Sequence, residues 1–323
     1  MLESTRTILA LSGLPKVGRV KLRAVLQALK ADSVKPVALP DVLARFSERL
    51  PSVTPSDIDA AEARADDILE QCSKLKVAVH VLGFPSYPSQ LERLKEPPAF
   101  LFSIGTFEFG RKPRIAVVGT RKPTEWGLQT AKACAAKIVE SHGVVVSGLA
   151  LGIDAAAQEA SVEHDGPTWA ILAHGLHTVS PSSNRDLAKR ILDKGGALVS
   201  EYPPGEKAQR HYFVERDRIQ AGLSDAVLVI ESGVDGGAMH TVRFAEQAHV
   251  HVWATFPNAK MKDAEGRRQD LPEPQQGTWT LLHSHKASHV ATPRALDRMI
   301  HGLALDSIRI SDSDISATLD PND

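Results

Sequence analysis

The sequence predicts an α/β fold, a doubly wound and mostly parallel sheet behind a small N-terminal helical segment. Three observations predict it. From residue 76 onward, short runs rich in Val and Ile alternate with stretches of helical length. Those runs are continuously apolar rather than alternating, the mark of strands covered on both faces. Before residue 76, apolar residues recur near a period of 3.6 and prolines punctuate them. The expected organisation is a helical domain over residues 1–75, the α/β domain over 76–305, and a disordered acidic tail over 306–323.

In order, Thr5 to Ala10 reads as helix, turns at Gly13–Leu14–Pro15, and resumes from Val17 to Leu29. Asp41 to Leu50 and Pro55 to Leu75 read the same way. Candidate strands are Val77 to Val81, Ile115 to Val118, Val144 to Val146, Thr168 to Leu172, Ala197 to Ser200, Ala226 to Ile230 and His249 to Ala254. Candidate helices are Gly127 to Ser141, Ile153 to His164, Arg185 to Lys194, Arg216 to Leu223 and Met239 to Ala248. Residues 258–277 are polar, carry Pro272 and Pro274, and read as a loop before a small closing unit from Thr278 to Leu305. The tail from Asp306 holds five Asp and one Arg, a composition that buries no core.

Composition excludes several classes. The 323 residues are 42% hydrophobic, enough for a sizeable core. Net charge is −1, so an anionic partner must be met by local clusters. The two cysteines, Cys72 and Cys134, sit in unrelated contexts and argue against a disulfide framework or a thiolate metal site. No apolar stretch approaches the roughly 18 residues of a membrane span, and no cleavage site follows a basic head. A cytoplasmic protein without a membrane partner is expected. His283, His285 and His289 are close together, but neither Cys nor H-E-x-x-H accompanies them, so no metal is expected. No G-x-S-x-G elbow supplies a nucleophile.

Ligands of open parallel sheets bind beyond the carboxyl ends of the strands. After the second candidate strand come Gly119–Thr120–Arg121–Lys122, a tight turn followed by two cations that suit phosphate. Residues 111–137 hold Arg111, Lys112, Arg114, Arg121, Lys122, Lys132 and Lys137 against Glu125 alone. A plain βα turn with solvated cations fits equally. Next come Ser147–Gly148–Leu149–Ala150–Leu151–Gly152–Ile153–Asp154, whose backbone amides suit an anion at the following helix. Asp154 is expected to cap that helix or orient the loop, with a catalytic role as the rival. Asn184 opens a further helix, and Arg185 stands in its first turn, where a cation opposes the helix dipole. Arg216 and Arg218 flank Asp217, so a structural ion-pair network and phosphate contact are both open. Gly236 and Gly237 form another glycine-rich helix entry.

Taken in order, these segments resemble the DprA/Smf family. The likeness runs from Tyr87–Pro88–Ser89–Gln90–Leu91 and Pro97–Pro98–Ala99–Phe100–Leu101, through V-G-T-R at 118–121 and S-G-L-A-L-G-I-D at 147–154. It continues with S-E-Y-P at 200–203, R-D-R-I at 216–219 and A-G-L-S at 221–224. The resemblance implies a Rossmann-like domain that binds single-stranded DNA, forms a homodimer and helps load the RecA recombinase in transformation and recombination. It implies no enzyme activity and no cofactor. It places Arg121 and Arg185 in the basic pocket. Gly13–Leu14–Pro15–Lys16–Val17–Gly18–Arg19 is similar to a helix-hairpin-helix turn, of the kind found in SAM-like N-terminal units.

The chain departs from the family pattern at Asp217, where an Asn is usual, and at Gln158, where a His is usual. Gly236–Gly237–Ala238–Met239 and Phe256–Pro257–Asn258 also depart, and no winged-helix domain is expected. Two other readings stay open. One is a nucleotide-ligand sensor or nucleoside-phosphate hydrolase related to the Lonely Guy enzymes, serving phage defence. The other is an interaction scaffold that has lost DNA binding.

Overall fold

The computed structural model describes residues 2–32, 38–110, 112–257 and 271–303. The expectations for Arg111, residues 258–270 and the tail from 306 lie outside the described residues.

The chain opens on α1 (Leu2–Gly13), α2 (Arg19–Ala31), α3 (Leu39–Arg45) and α4 (Pro55–Leu75). Thr54 starts α4 with a capping box: its hydroxyl accepts from the Asp57 N–H, whose carboxylate accepts from the Thr54 N–H. The third helix stops at Arg45, short of the expected Leu50, and residues 46–49 form a turn. Ile8, Leu11, Val25, Leu26 and Ala65 are sealed from water and join the core cluster beneath one face of the sheet.

The sheet has nine strands among the described residues, ordered β1-β2-β6-β5-β4-β3-β7-β8-β9. They are β1 (Ala78–Val81), β2 (Phe100–Gly105), β3 (Arg114–Val118), β4 (Val144–Ser147), β5 (Thr168–Leu172), β6 (Ala197–Ser200), β7 (Ala226–Val229), β8 (His251–Ala254) and β9 (Ser288–His289). From β6 across to β9 every pairing is parallel, while β1 and β2 add an antiparallel margin. This is a Rossmann-like α/β fold. Period two explains the continuous apolar runs: Ile115 and Val117 pack on one face, Ala116 and Val118 on the other.

Helices α5 (Glu125–Glu140), α6 (Ile153–Glu163), α7 (Arg185–Asp193), α8 (Arg210–Leu223) and α9 (Ala238–Gln247) connect the parallel strands. Several further elements differ from expectation. The strand β2 was not foreseen, because its run Phe100–Leu101–Phe102 follows two prolines and reads as a motif rather than a strand. Helix α8 begins at Arg210 instead of Arg216; its buried face starts only at Arg216, so the apolar period is silent before it. Helix α10 (Glu273–His283) occupies the end of the expected loop, since Pro274 lies in its first turn, where a missing N–H costs no hydrogen bond. Residues 293–303 are helical and place Leu296 and Ile300 against the face lined by α5 and α6.

Candidate nucleic-acid interface at the strand ends

Strand β3 starts the parallel set, β4 lies on one side of it and β7 on the other, so the topology reverses between β3 and β7. That is where such folds bind ligands. A cavity of about 450 Å³ opens there, lined by Gly119, Thr120, Arg121 and Lys122 after β3, Gly236 and Gly237 before α9, and one face of α8.

The loop after β3 is stitched to the end of β7. The Thr120 N–H donates to the Glu231 carbonyl at 2.7 Å. A Cβ on Gly119 would lie 2.5 Å from Ile153 and 2.8 Å from that same carbonyl, so only glycine fits. The fully buried Glu231 carboxylate accepts from the Thr124 N–H (2.8 Å), the Thr124 hydroxyl (2.7 Å) and Gln275 (2.8 Å), fixing the starts of α5 and α10. On this rigid base Arg121 and Lys122 are exposed, and neither forms an ion pair among the described residues. The Arg121 guanidinium lies 5.4 Å from the Phe213 ring centroid, a cation–π contact that positions it without neutralising it.

The second glycine loop is built differently. Leu149 takes a left-handed conformation (φ 55°), and buried amides hold it from both sides. Gln158 accepts from the Leu149 N–H at 3.0 Å, and Asn184 donates to the Leu149 carbonyl at 2.9 Å. Gln158 also donates to the Trp169 carbonyl at 3.2 Å, so this side chain must both accept and donate. Asp154 accepts from the Gly148 N–H at 3.0 Å, the loop-orienting role anticipated for it; the residue ahead of α6 is Gly152, so Asp154 is not the cap. Burial pushes the Asp154 carboxyl up to about 6, although the nearby Arg216 pulls it down.

Several candidate site residues are consumed by the protein itself. The Ser147 hydroxyl is fully buried and donates to the Val117 carbonyl at 2.7 Å. Gly148 is buried, and a Cβ there would strike the Arg216 guanidinium at 2.3 Å. Asn184 is spent on Leu149. Arg216 is 6% exposed and donates to the carbonyls of Gly148 (2.8 Å) and Ile171 (2.5 Å) and to Asp217 (3.1 Å). Arg218 donates to both oxygens of Glu201 at 2.6 Å. Both Arg216 and Arg218 are buried and each forms an ion pair, with Asp217 and Glu201 respectively, which is the structural network that their spacing around Asp217 suggested. Arg216 alone of the two lines the cavity, beside Asp154 and Asp217. Arg185 is exposed and forms no ion pair among the described residues, yet it does not line the cavity; it follows Asn184, whose side chain grips Leu149 in the loop next door. In the N-terminal turn Arg19 pairs with Glu215 of α8 at 2.7 Å, so that cation is engaged internally.

Of the wall supplied by α8, sequence reasoning singled out Arg216 and Asp217 but missed Phe213 and Gln220. Phe213, Arg216, Asp217 and Gln220 recur at helical spacing and all line the cavity. Glu273 of α10 also enters it, close enough to Gly233 that a side chain there would have to displace the Glu273 carboxylate. No cluster of His, Cys, Asp and Glu fit for a metal occurs among the described residues, and no described helix is long and apolar enough to cross a membrane.

Comparison with known proteins follows the same outline. Residues 78–291 match the family model for DNA recombination-mediator protein A. The DNA processing protein DprA of Bacillus subtilis is 33% identical over 231 residues, 71% of this chain and 72% of that protein. Protein Smf of Synechocystis is 37% identical over 186 residues, 56% of this chain, so that the match spans only about half, 46%, of that relative. Among solved structures, DNA processing protein A from Streptococcus pneumoniae superposes with a TM-score of 0.71 at 26% identity, covering 90% of this chain and 94% of that one. The Helicobacter pylori protein, described for its single-stranded DNA binding mode, shares the fold with a TM-score of 0.59 at 24% identity, covering 72% of this chain and 97% of its own. The ordered motifs, the sheet that carries them and these matches together place the chain in the DNA recombination-mediator protein A family, DprA/Smf.

Proposed function

We propose that this chain is a DNA-processing protein that binds single-stranded DNA across the β3–β7 strand ends, protecting the strand and assisting a RecA-type recombinase, and that it does so as a homodimer. The observation that carries the reading is the pair Arg121 and Lys122, exposed and without ion-pair partners among the described residues, at the mouth of a cavity with glycine-rich walls. Such a site neutralises phosphates without reading sequence, which suits a strand whose backbone offers one charge per nucleotide. The names of the relatives point the same way. Arg185, one loop away, extends the cationic track beyond the cavity.

The test is a fluorescence-anisotropy titration with short single-stranded oligonucleotides across a range of salt. Affinity is expected to fall steeply with salt, and Arg121→Ala is expected to weaken binding and flatten the slope by about one unit. An unchanged affinity in Arg121→Ala together with Arg185→Ala would remove the strand ends as the binding site.

A further inference from the structure

Outside the cavity, the segment after β6 and the first turn of α8 build a column of rings. Tyr202 is buried at its root. Tyr212 stacks on Tyr202, with ring centroids 3.8 Å apart and planes inclined by 18°. His211 ends the column at the surface, exposed and nearly perpendicular to the Tyr212 ring at 4.5 Å. None of the three lines the β3–β7 cavity. Both hydroxyls are tied down: Tyr202 donates to Glu215 at 2.6 Å and Tyr212 to Glu206 at 3.0 Å. The column is therefore in place before a ligand arrives, and binding on it orders few protein side chains.

Its surroundings are cationic. Lys207 and Arg210 are exposed, and neither forms an ion pair among the described residues. The neighbouring carboxylates are already engaged, Glu206 by Tyr212 and Gln209, Glu215 by Tyr202 and Arg19. Exposed rings flanked by such cations suit single-stranded nucleic acid, whose bases stack and whose phosphates need neutralising. An apolar protein surface would instead have to cover two cations without pairing them, which is costly. The column also begins one residue from the cavity wall, since Phe213 carries the Arg121 contact and lines the cavity. We propose that the Tyr202–Tyr212–His211 column, with Arg210 and Lys207, is a second and sequence-tolerant site that stacks a nucleobase of the strand once it has left the cavity. The proposal rests on the strand-binding reading for its ligand, and on residues outside the cavity for its site.

The experiment compares all-thymine oligonucleotides of about 5 and about 15 nucleotides, by anisotropy at fixed salt, in the wild type, His211→Ala, Arg210→Ala and Arg121→Ala. His211 and Arg210 are exposed, so their variants are expected to melt with the wild type. The wild type is expected to bind the longer strand more tightly, and His211→Ala to lose about tenfold of that gain while the short strand binds as before. Arg210→Ala is expected to weaken the long strand alone, and Arg121→Ala to weaken both. A fluorescent adenine analogue, quenched when it stacks, is then moved along the long strand. Quenching is expected at a position beyond the cavity and is expected to disappear in His211→Ala, a signal that a merely bracing role for the rings would not give. Unchanged long-strand affinity in both His211→Ala and Arg210→Ala, or quenching that survives His211→Ala, overturns the second site. If Arg121→Ala has no effect but His211→Ala weakens the long strand, the strand-end reading fails and the column stands. If no strand binds the wild type, both fall.

Discussion

Arg121 and Arg216 are the same residue type with opposite fates. Arg121 is exposed, so its removal is expected to change stability by no more than about 0.5 kcal/mol while weakening binding. Arg216 sits between two carboxylates and two carbonyls. Arg216→Ala strands those buried acids and is expected to cost about 3–5 kcal/mol in a urea melt. Equal losses of stability in the two variants would contradict this division. Asp154 makes a separate prediction. Its carboxyl is raised from the usual 3.8 to about 6 in the fold, so its proton is bound more tightly there than in the unfolded chain. That contribution is full below the unfolded value and is lost as pH rises through about 6. The stability of the wild type is therefore expected to decline between pH values of about 4 and 6 relative to Asp154→Asn; parallel pH profiles would show that Asp154 does not titrate there. The sequence could name the arginines but not separate them. Their separation depends on which turn of α8 faces the sheet, and the apolar period shows no helix before Arg216 from which to read it.

Between strand and helix, the loop from Gly148 to Gly152 is the most constrained piece of backbone in the site. Leu149 is a left-handed non-glycine residue and fully buried. Such a conformation persists only where the surroundings over-determine it. Gln158 and Asn184 do so by binding its two peptide groups. Gln158→Leu leaves the Leu149 N–H and the Trp169 carbonyl without these bonds. It is expected to cost about 2–3 kcal/mol in thermal denaturation and to speed amide exchange at Leu149; an unaltered exchange rate would mean that the loop holds itself. Most of the elements were legible because Val- and Ile-rich runs separated by helical periods leave little choice of architecture. The loop's glycines were legible as well. Gln158 was visible only as a departure from the family's His, and its role needs the fold, since its partners lie nine and eleven residues away in sequence. β2 escaped notice because its apolar run follows Pro97 and Pro98 and reads as a motif; it enters the sheet antiparallel, on the margin.

Across the whole molecule, the N-terminal helices are not an appended module in the physical sense. Their buried residues belong to the same apolar cluster as Leu91, Phe102 and Val199 on the sheet side. Ion pairs from Arg19 to Glu215, Arg23 to Glu96 and Lys30 to Glu92 fasten the boundary. These pairs are partly exposed and add little each, so the shared core carries the attachment. The helices and the sheet are expected to unfold in one cooperative transition, with calorimetric and van't Hoff enthalpies in agreement. Two resolved transitions would show instead that residues 1–75 fold independently.

Helix α8 is common to both ends of this arrangement. Glu215 faces outward to Arg19 and also accepts from the Tyr202 hydroxyl at 2.6 Å, while Arg216 and Asp217, its immediate successors, face the cavity. A partition wall of this kind cannot be pushed from one room without being felt in the other. Any ligand that shifts α8 alters the grip of the N-terminal helices, and thermodynamic reciprocity requires that whatever seizes those helices retunes the cavity by the same factor.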